Sequence, residues 1–318
     1  MNTLPPLGIG TAAIGNLYAS VSDAEAYATI RAALDAGITY FDTAPHYGFG
    51  LAERRLGEAL GNAPVRLSTK VGRLLEPTTA HGVRHGFVDA DPYEPCFDYS
   101  ADGIRRSHDS SLGRLKRDRV DILLAHDLGR LTHGAAHDHH LATFLDGGYR
   151  AMRDLKDAGA IGAIGIGVNE IAICLELIER VELDVILLAG RYTLLDRSAA
   201  EVLIPLCDRR GIRLIIGGPY NSGILARDDL SDVARLRYDY AQAPAETIAR
   251  AQRLATLCTR FGVALPAAAL QFPLRDPRVA TVIAGVANPG EVRDLVARAA
   301  AEIPETMWAA LAKEDMTI

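Results

Sequence analysis

Asp42, Tyr47, Lys70 and His126 have the residue types and spacing to move a proton. An isolated tyrosine ionises at about pH 10, too high for a general base in neutral solution. A lysine ammonium beside it stabilises the phenolate and lowers that value, while a carboxylate keeps the lysine charged and in place. Asp42, Lys70 and Tyr47 supply those three parts. His126 can donate to a substrate oxygen and fix its orientation. A lysine next to a tyrosine also suits imine chemistry, so a Schiff-base aldolase working through Lys70 stands as a second enzyme class.

Whether these side chains meet depends on the elements that carry them. Short β-branched runs at 7–10, 38–42, 65–69, 120–125, 161–168, 184–188, 212–217 and 279–284 alternate with helical patterns at 23–36, 51–60, 103–115, 150–158, 171–179, 198–210 and 245–261. Gly37, Gly159, Gly211 and Gly262 stand where those helices need a residue just past the C-terminus. The strands are nearly all apolar, as helices covering a parallel sheet require. About eight such units in 318 residues predict an α/β chain folded as one (β/α)8 TIM barrel, a single domain over 1–318. Asp42, Lys70, His126 and Asn169 each close an apolar strand, which gathers them at one mouth of the barrel. Connections 72–100 and 220–244 exceed the roughly 12–15 residues usual for scaffold loops. Both follow a strand and therefore belong to the face where barrels bind substrate. Tyr93, Phe97 and Tyr99 in the first are expected pocket walls.

Composition narrows the partners. Hydrophobic residues make up 49% and charged residues 23%, with a formal net charge of -6. That supports a large core and provides no basic footprint for nucleic acid or an anionic membrane. The opening Met1-Asn2-Thr3-Leu4-Pro5-Pro6 has neither the basic segment nor the apolar run of a signal peptide. No apolar stretch reaches the roughly 18 residues that span a bilayer. Cys96, Cys174, Cys207 and Cys258 form no C-x-x-C pair and point to a reducing, cytoplasmic setting. Gly8-Ile9-Gly10 mimics a dinucleotide fingerprint, but its third glycine is misplaced and Ser22 starts the helix well after it. His133, His137, His139 and His140 read as a solvated loop, so no metal is expected.

The run 37–48 (GITYFDTAPHYG), followed by 53–57 (ERRLG), 68–70 (STK) and 125–127 (AHD), resembles the signature of the aldo-keto reductase superfamily. The likeness extends through 165–169 (GIGVN) to 283–285 (IAG). Segments 97–100 (FDYS), 188–195 (LAGRYTLL), 221–225 (NSGIL) and 268–273 (AALQFP) resemble its sugar-oxidising branch, which acts on D-threo-aldoses or L-fucose and has relatives acting on L-galactose or pyridoxal. The resemblance implies NAD(P) extended across the barrel mouth. By position, Asn169 would bond the nicotinamide amide and Tyr192 stack on its ring, although Ala189 replaces a glutamine common in relatives. The backbone of Ser222, Gly223, Ile224 and Leu225 would line the pyrophosphate, and Gly285 to Val292, including Glu291, the adenosine end. The implied reaction is oxidation of the C1 hydroxyl of an aldose to a lactone, with Tyr47 as general acid/base. A pyridoxal 4-dehydrogenase, a general aldehyde or ketone reductase and a non-catalytic NAD(P)-binding module are the alternatives. Many NADP-using relatives carry a cation just after the position of Gly285. This chain has Val286-Ala287-Asn288 and then Glu291, which favours NAD over NADP, with Arg293 the one nearby cation. A small sugar or aldehyde substrate and a monomer or homodimer are the expected partners.

Overall fold

The computed structural model describes residues 4–315, so Met1, Asn2 and Thr3 of the opening segment lie outside the described residues. Eight parallel strands close a barrel: β1 (Leu7–Gly10), β2 (Tyr40–Asp42), β3 (Arg66–Val71), β4 (Val120–His126), β5 (Ile161–Val168), β6 (Val185–Ala189), β7 (Arg213–Gly217) and β8 (Val279–Gly285). Each strand pairs with the next along the chain and β8 closes on β1, leaving no open edge. This is the (β/α)8 architecture that the alternating pattern implies.

Alternation along the strands decides what faces inward. Tyr40, Ile122, Leu124, Ala163, Val185, Leu187, Ile215 and Ile283 fill the barrel, with Leu4 below them. Two residues on from Tyr40, and again from Leu124, the same parity brings Asp42 and His126 inward; in β3 it points Lys70 the same way. The register sets Asp42 beside Ser68 and His126 beside Gly167. Two glycines make room: a Cβ on Gly8 would lie 2.5 Å from the Tyr40 ring, and one on Gly167 would lie 3.1 Å from Lys70 Cε.

The helices pack a second apolar layer outside. Helix Asp23–Asp35 buries Ala26, Thr29, Ile30 and Ala33, the i, i+3, i+4, i+7 stripe of an amphipathic helix, and the Ser22 hydroxyl caps it by accepting from Glu25 N–H. Helix Leu51–Leu60 carries two buried charges that anchor the mouth. Glu53 accepts from Thr69 Oγ1 at 2.6 Å and Arg114 Nε at 2.7 Å, tying the helix to β3. Arg55 donates to Asp23, Asn16 and the carbonyls of Ile14 and Val21, which pins the loop that carries Leu17 and Tyr18 to the barrel rim. Gly37, Gly159, Gly211 and Gly262 all take positive φ.

Three expectations change. Segment 72–100, expected as a long connection, holds regular structure: Arg73–Pro77 and Tyr93–Phe97 form an antiparallel hairpin whose end carries His85, Gly86 and Phe87 to the mouth. The pattern at 198–210 becomes helix only over Leu203–Arg210. The histidine-rich stretch is not a solvated loop but two short helices, Arg130–His133 and His137–Thr143, with His137 buried. Among the described residues no single helix is long and apolar enough to cross a membrane.

Candidate active site

At the C-terminal end of the barrel, Lys70 Nζ donates to Asp42 Oδ2 at 2.7 Å, to the Thr43 carbonyl at 2.8 Å and to Tyr47 Oη at 3.0 Å. Ser68 Oγ donates to the other Asp42 oxygen at 2.7 Å and lies 2.9 Å from Tyr40 Oη. Asp42 and Lys70 are each 1% exposed, so their charges are worth far more here than in water. Burial pushes the Asp42 carboxyl up, opposed by Lys70. Burial alone would lower the Lys70 ammonium, but Asp42 and the Tyr47 oxygen outweigh it, and the net direction is upward. The proton of the pair therefore sits on Lys70. Tyr47 departs from expectation: Lys70 does pull its pKa down, but burial is the larger effect and carries it above the ordinary 10.0. In the free protein Tyr47 is a phenol, not a phenolate.

His126 faces Tyr47 edge to face, ring centroids 6.0 Å apart. Burial drives its pKa well below 6.5, and Arg73, Lys70 and His46 push the same way, so the imidazole is neutral. His46, beside it, is lowered to about 2, again chiefly by burial. The His126 backbone is held by Tyr99, whose hydroxyl donates to its carbonyl at 2.6 Å and lies 3.0 Å from His133 Nε2. The next residue, Asp127, is bound by the Arg73 guanidinium. Burial raises its carboxyl, opposed by Arg73 and Lys70.

His46, Tyr47, Lys70, His126 and Asp127 form one wall of a cavity of about 420 Å³, completed by Leu17, Tyr18, His85, Phe87, Asn169, Ala189 and Tyr240. A second cavity, about 630 Å³, is lined by Tyr220, Arg227, Arg235, Gly285, Glu291 and Arg298. The turn Asn221–Gly223 follows Tyr220, and Asn221 Oδ1 is buried there without a protein partner. A neutral imidazole with its Nδ1 likewise unpartnered, an unsatisfied amide oxygen and two cavities at the barrel mouth suit an extended polar ligand.

The profile of the aldo/keto reductase family matches residues 6–315. The chain belongs to the aldo/keto reductase family. This aldo/keto reductase is 42% identical to pyridoxal 4-dehydrogenase of Microbacterium luteolum, over 99% of this chain and 95% of that protein. It is 39% identical to D-threo-aldose 1-dehydrogenase of a Pseudomonas species, over 98% and 94%. Among solved structures it is similar to the aldo-keto reductase AKR11C1 from Bacillus halodurans in its holo form, with a TM-score of 0.73, 25% identity, and coverage of 98% of this chain and 92% of that one. It is thus an NAD(P)-dependent oxidoreductase.

The barrel of this aldo/keto reductase brings Asp42, Tyr47, Lys70 and His126 together. Lys70 and His126 lie inside β3 and β4 rather than just past them, because both strands run one or two residues longer than the apolar runs. Asn169 lines the main cavity, and its carbonyl accepts from Arg191 Nε at 2.7 Å. Gly285 and Glu291 line the second cavity; Glu291 also accepts from Ala287 N–H and Asn288 Nδ2. Tyr192 does not line the main cavity. Beyond Gly190 (φ 71°) its ring packs on Phe272, centroids 5.3 Å apart. The phosphate-lining expectation weakens too. The N–H groups of Gly223 and Leu225 are spent on the Tyr220 carbonyl, Leu225 is core, and the Ser222 hydroxyl accepts from Tyr240 N–H. Tyr93, Phe97 and Tyr99 stand outside the cavity: Tyr99 supports His126, and Phe97 packs on His133. Arg73, Asp127, Tyr18 and Tyr240 were missed. For Asp127 the signal was its place directly after His126; for Tyr240 there was none.

Proposed function

We propose that this aldo/keto reductase oxidises the C1 hydroxyl of an L-fucose-like or D-threo aldose to its lactone, using Tyr47 as general acid/base and NAD in preference to NADP. The observation that carries the reading is the Lys70 ammonium, 3.0 Å from the Tyr47 oxygen and fixed there by Asp42. Bound NAD(P), with Asn169 at the main cavity and Gly285 and Glu291 at the second, supplies the acceptor of the hydride. Tyr47 takes the hydroxyl proton, and the ammonium of Lys70 stabilises the phenolate that this requires. His126, neutral, donates to the same substrate oxygen and orients it. Asp42 touches no substrate; it holds Lys70 in position.

Because Tyr47 lies above 10.0 in the free enzyme, the two directions respond oppositely to pH. Oxidation needs the phenolate, so its kcat/KM climbs from about pH 7 to 10, by at most about tenfold per unit. Reduction needs the phenol, so it stays level over that range and falls only above it. An oxidation profile that is flat from about pH 7 to 10 contradicts Tyr47 as the base.

All three Lys70 donors are engaged and its proton is firmly held, which argues against imine formation. For the cofactor, the Glu291 carboxylate at the second cavity disfavours a 2′-phosphate; of the arginines there, Arg298 is turned to the Ala226 carbonyl and the Tyr220 ring and Arg235 pairs with Asp232, which leaves Arg227 as the cation that opposes the preference. Fluorescence titration is expected to show NAD bound at least about tenfold more tightly than NADP, a difference of about 1.4 kcal/mol; equal affinities overturn the preference. A second reading, a pyridoxal dehydrogenase, is favoured by the aromatic side of the cavity, where Tyr18, Phe87 and Tyr240 suit a flat ring.

A further inference from the structure

Asp127 has features that the proton relay does not need. It takes a φ of 49°, uncommon for a residue with a Cβ, while its N–H donates to the Gly167 carbonyl at 2.9 Å. Asp127 lines the main cavity. Arg73, itself stacked on Phe97 at 5.0 Å, binds the carboxylate through Oδ2. The Arg73 side chain is 8% exposed and that of Asp127 20% exposed. A largely buried ion pair of this kind is weak support for stability, so its presence at a cavity wall calls for another reason. A carboxylate has about four acceptor positions, and Arg73 does not exhaust them.

Asp127 Oδ2 lies 3.4 Å from His126 Nε2. Hydroxyl oxygens on adjacent carbons are themselves separated by about one hydrogen-bond length. The hydroxyl on the carbon next to a substrate oxygen held by His126 and Tyr47 is therefore within reach of Asp127. We propose that Asp127, held by Arg73, is a specificity-determining residue that accepts a hydrogen bond from the substrate hydroxyl next to the carbon being oxidised. The proposal rests on the aldose reading above and adds to it a selection for vicinal hydroxyls.

The test measures kcat/KM for two matched pairs, L-fucose with 2-deoxy-L-fucose and D-arabinose with 2-deoxy-D-ribose, which is its C2-deoxy counterpart. Both members of a pair are assayed on one preparation, so their ratio does not depend on the fraction folded. Wild type is expected to prefer the hydroxylated sugar of a pair by at least about 100-fold, because a site built around a hydroxyl leaves its acceptor unpaired with the deoxy analogue. Asp127→Asn, which keeps the volume and loses the charge, reduces the preference to about tenfold or less. The double variant Arg73→Met/Asp127→Leu, with neither charge left buried, brings it close to unity. If the double variant has no turnover, the Asp127→Asn ratio decides. Similar efficiency with all four sugars in wild type overturns this inference alone, as does an unchanged preference in the variants. Oxidation of none of these four, nor of L-galactose, overturns the aldose reading and this inference with it.

Discussion

Tyr47→Phe lowers kcat for aldose oxidation by about 10²- to 10⁴-fold, the range expected when a positioned proton-transfer group is removed. The effect is chemical rather than architectural. The ring keeps its contacts with Phe87 and His126 at centroid distances of 6.4 and 6.0 Å, and Lys70 Nζ still lies over it at about the 4.6 Å seen now. Lys70 retains Asp42 and the Thr43 carbonyl as partners. NAD affinity, measured by fluorescence titration, is therefore expected to stay within about threefold of wild type, less than 1 kcal/mol. A loss in kcat smaller than about tenfold, with NAD still bound, removes Tyr47 from the role assigned to it.

Lys70→Met is expected to cost about 3–5 kcal/mol of stability, because Asp42 then remains as an uncompensated buried charge. In a barrel of this size that corresponds to a fall in Tm of about 5–8 °C. Turnover falls as well, since nothing then supports the Tyr47 phenolate. The double variant Asp42→Asn/Lys70→Met separates the two effects. With both charges gone, most of the stability returns, while activity does not. Thermal melts and initial rates on the same preparations check this. A single variant as stable as wild type contradicts the buried-pair account. A double variant that recovers activity contradicts the role of the ammonium.

The strands were legible because parallel strands covered by helices are apolar on both faces, and a polar residue at the end of such a run stands out. Asp42, Lys70 and His126 were found in that way, and the likeness to the reductase signature supplied their company. The hairpin of 72–100 was hidden because Pro77, Pro92 and Pro95 break the pattern around Arg73–Pro77 and Tyr93–Phe97, which pair outside the barrel. The packing of Tyr192 on Phe272 was not legible, because the side-chain direction beyond a positive-φ glycine is not encoded in spacing. Tyr240 reaches the cavity from a tight turn in which Asp239 and Tyr240 both have positive φ without a glycine, a geometry the residue types do not announce. The sign of Tyr47 was misjudged for a different reason: Lys70 can be read from the sequence, but the burial that outweighs it belongs to the assembled mouth.

The central claim is that this mouth oxidises the C1 carbinol of an aldose. The direct measurement is to incubate the wild-type protein with NAD and, separately, L-fucose, L-galactose, D-arabinose and pyridoxal, following reduced nicotinamide and identifying the organic product. The account predicts reduced cofactor with at least one of the three sugars and, in equal amount, the corresponding lactone. Turnover with pyridoxal alone, or bound NAD with no turnover on any of the four, contradicts it.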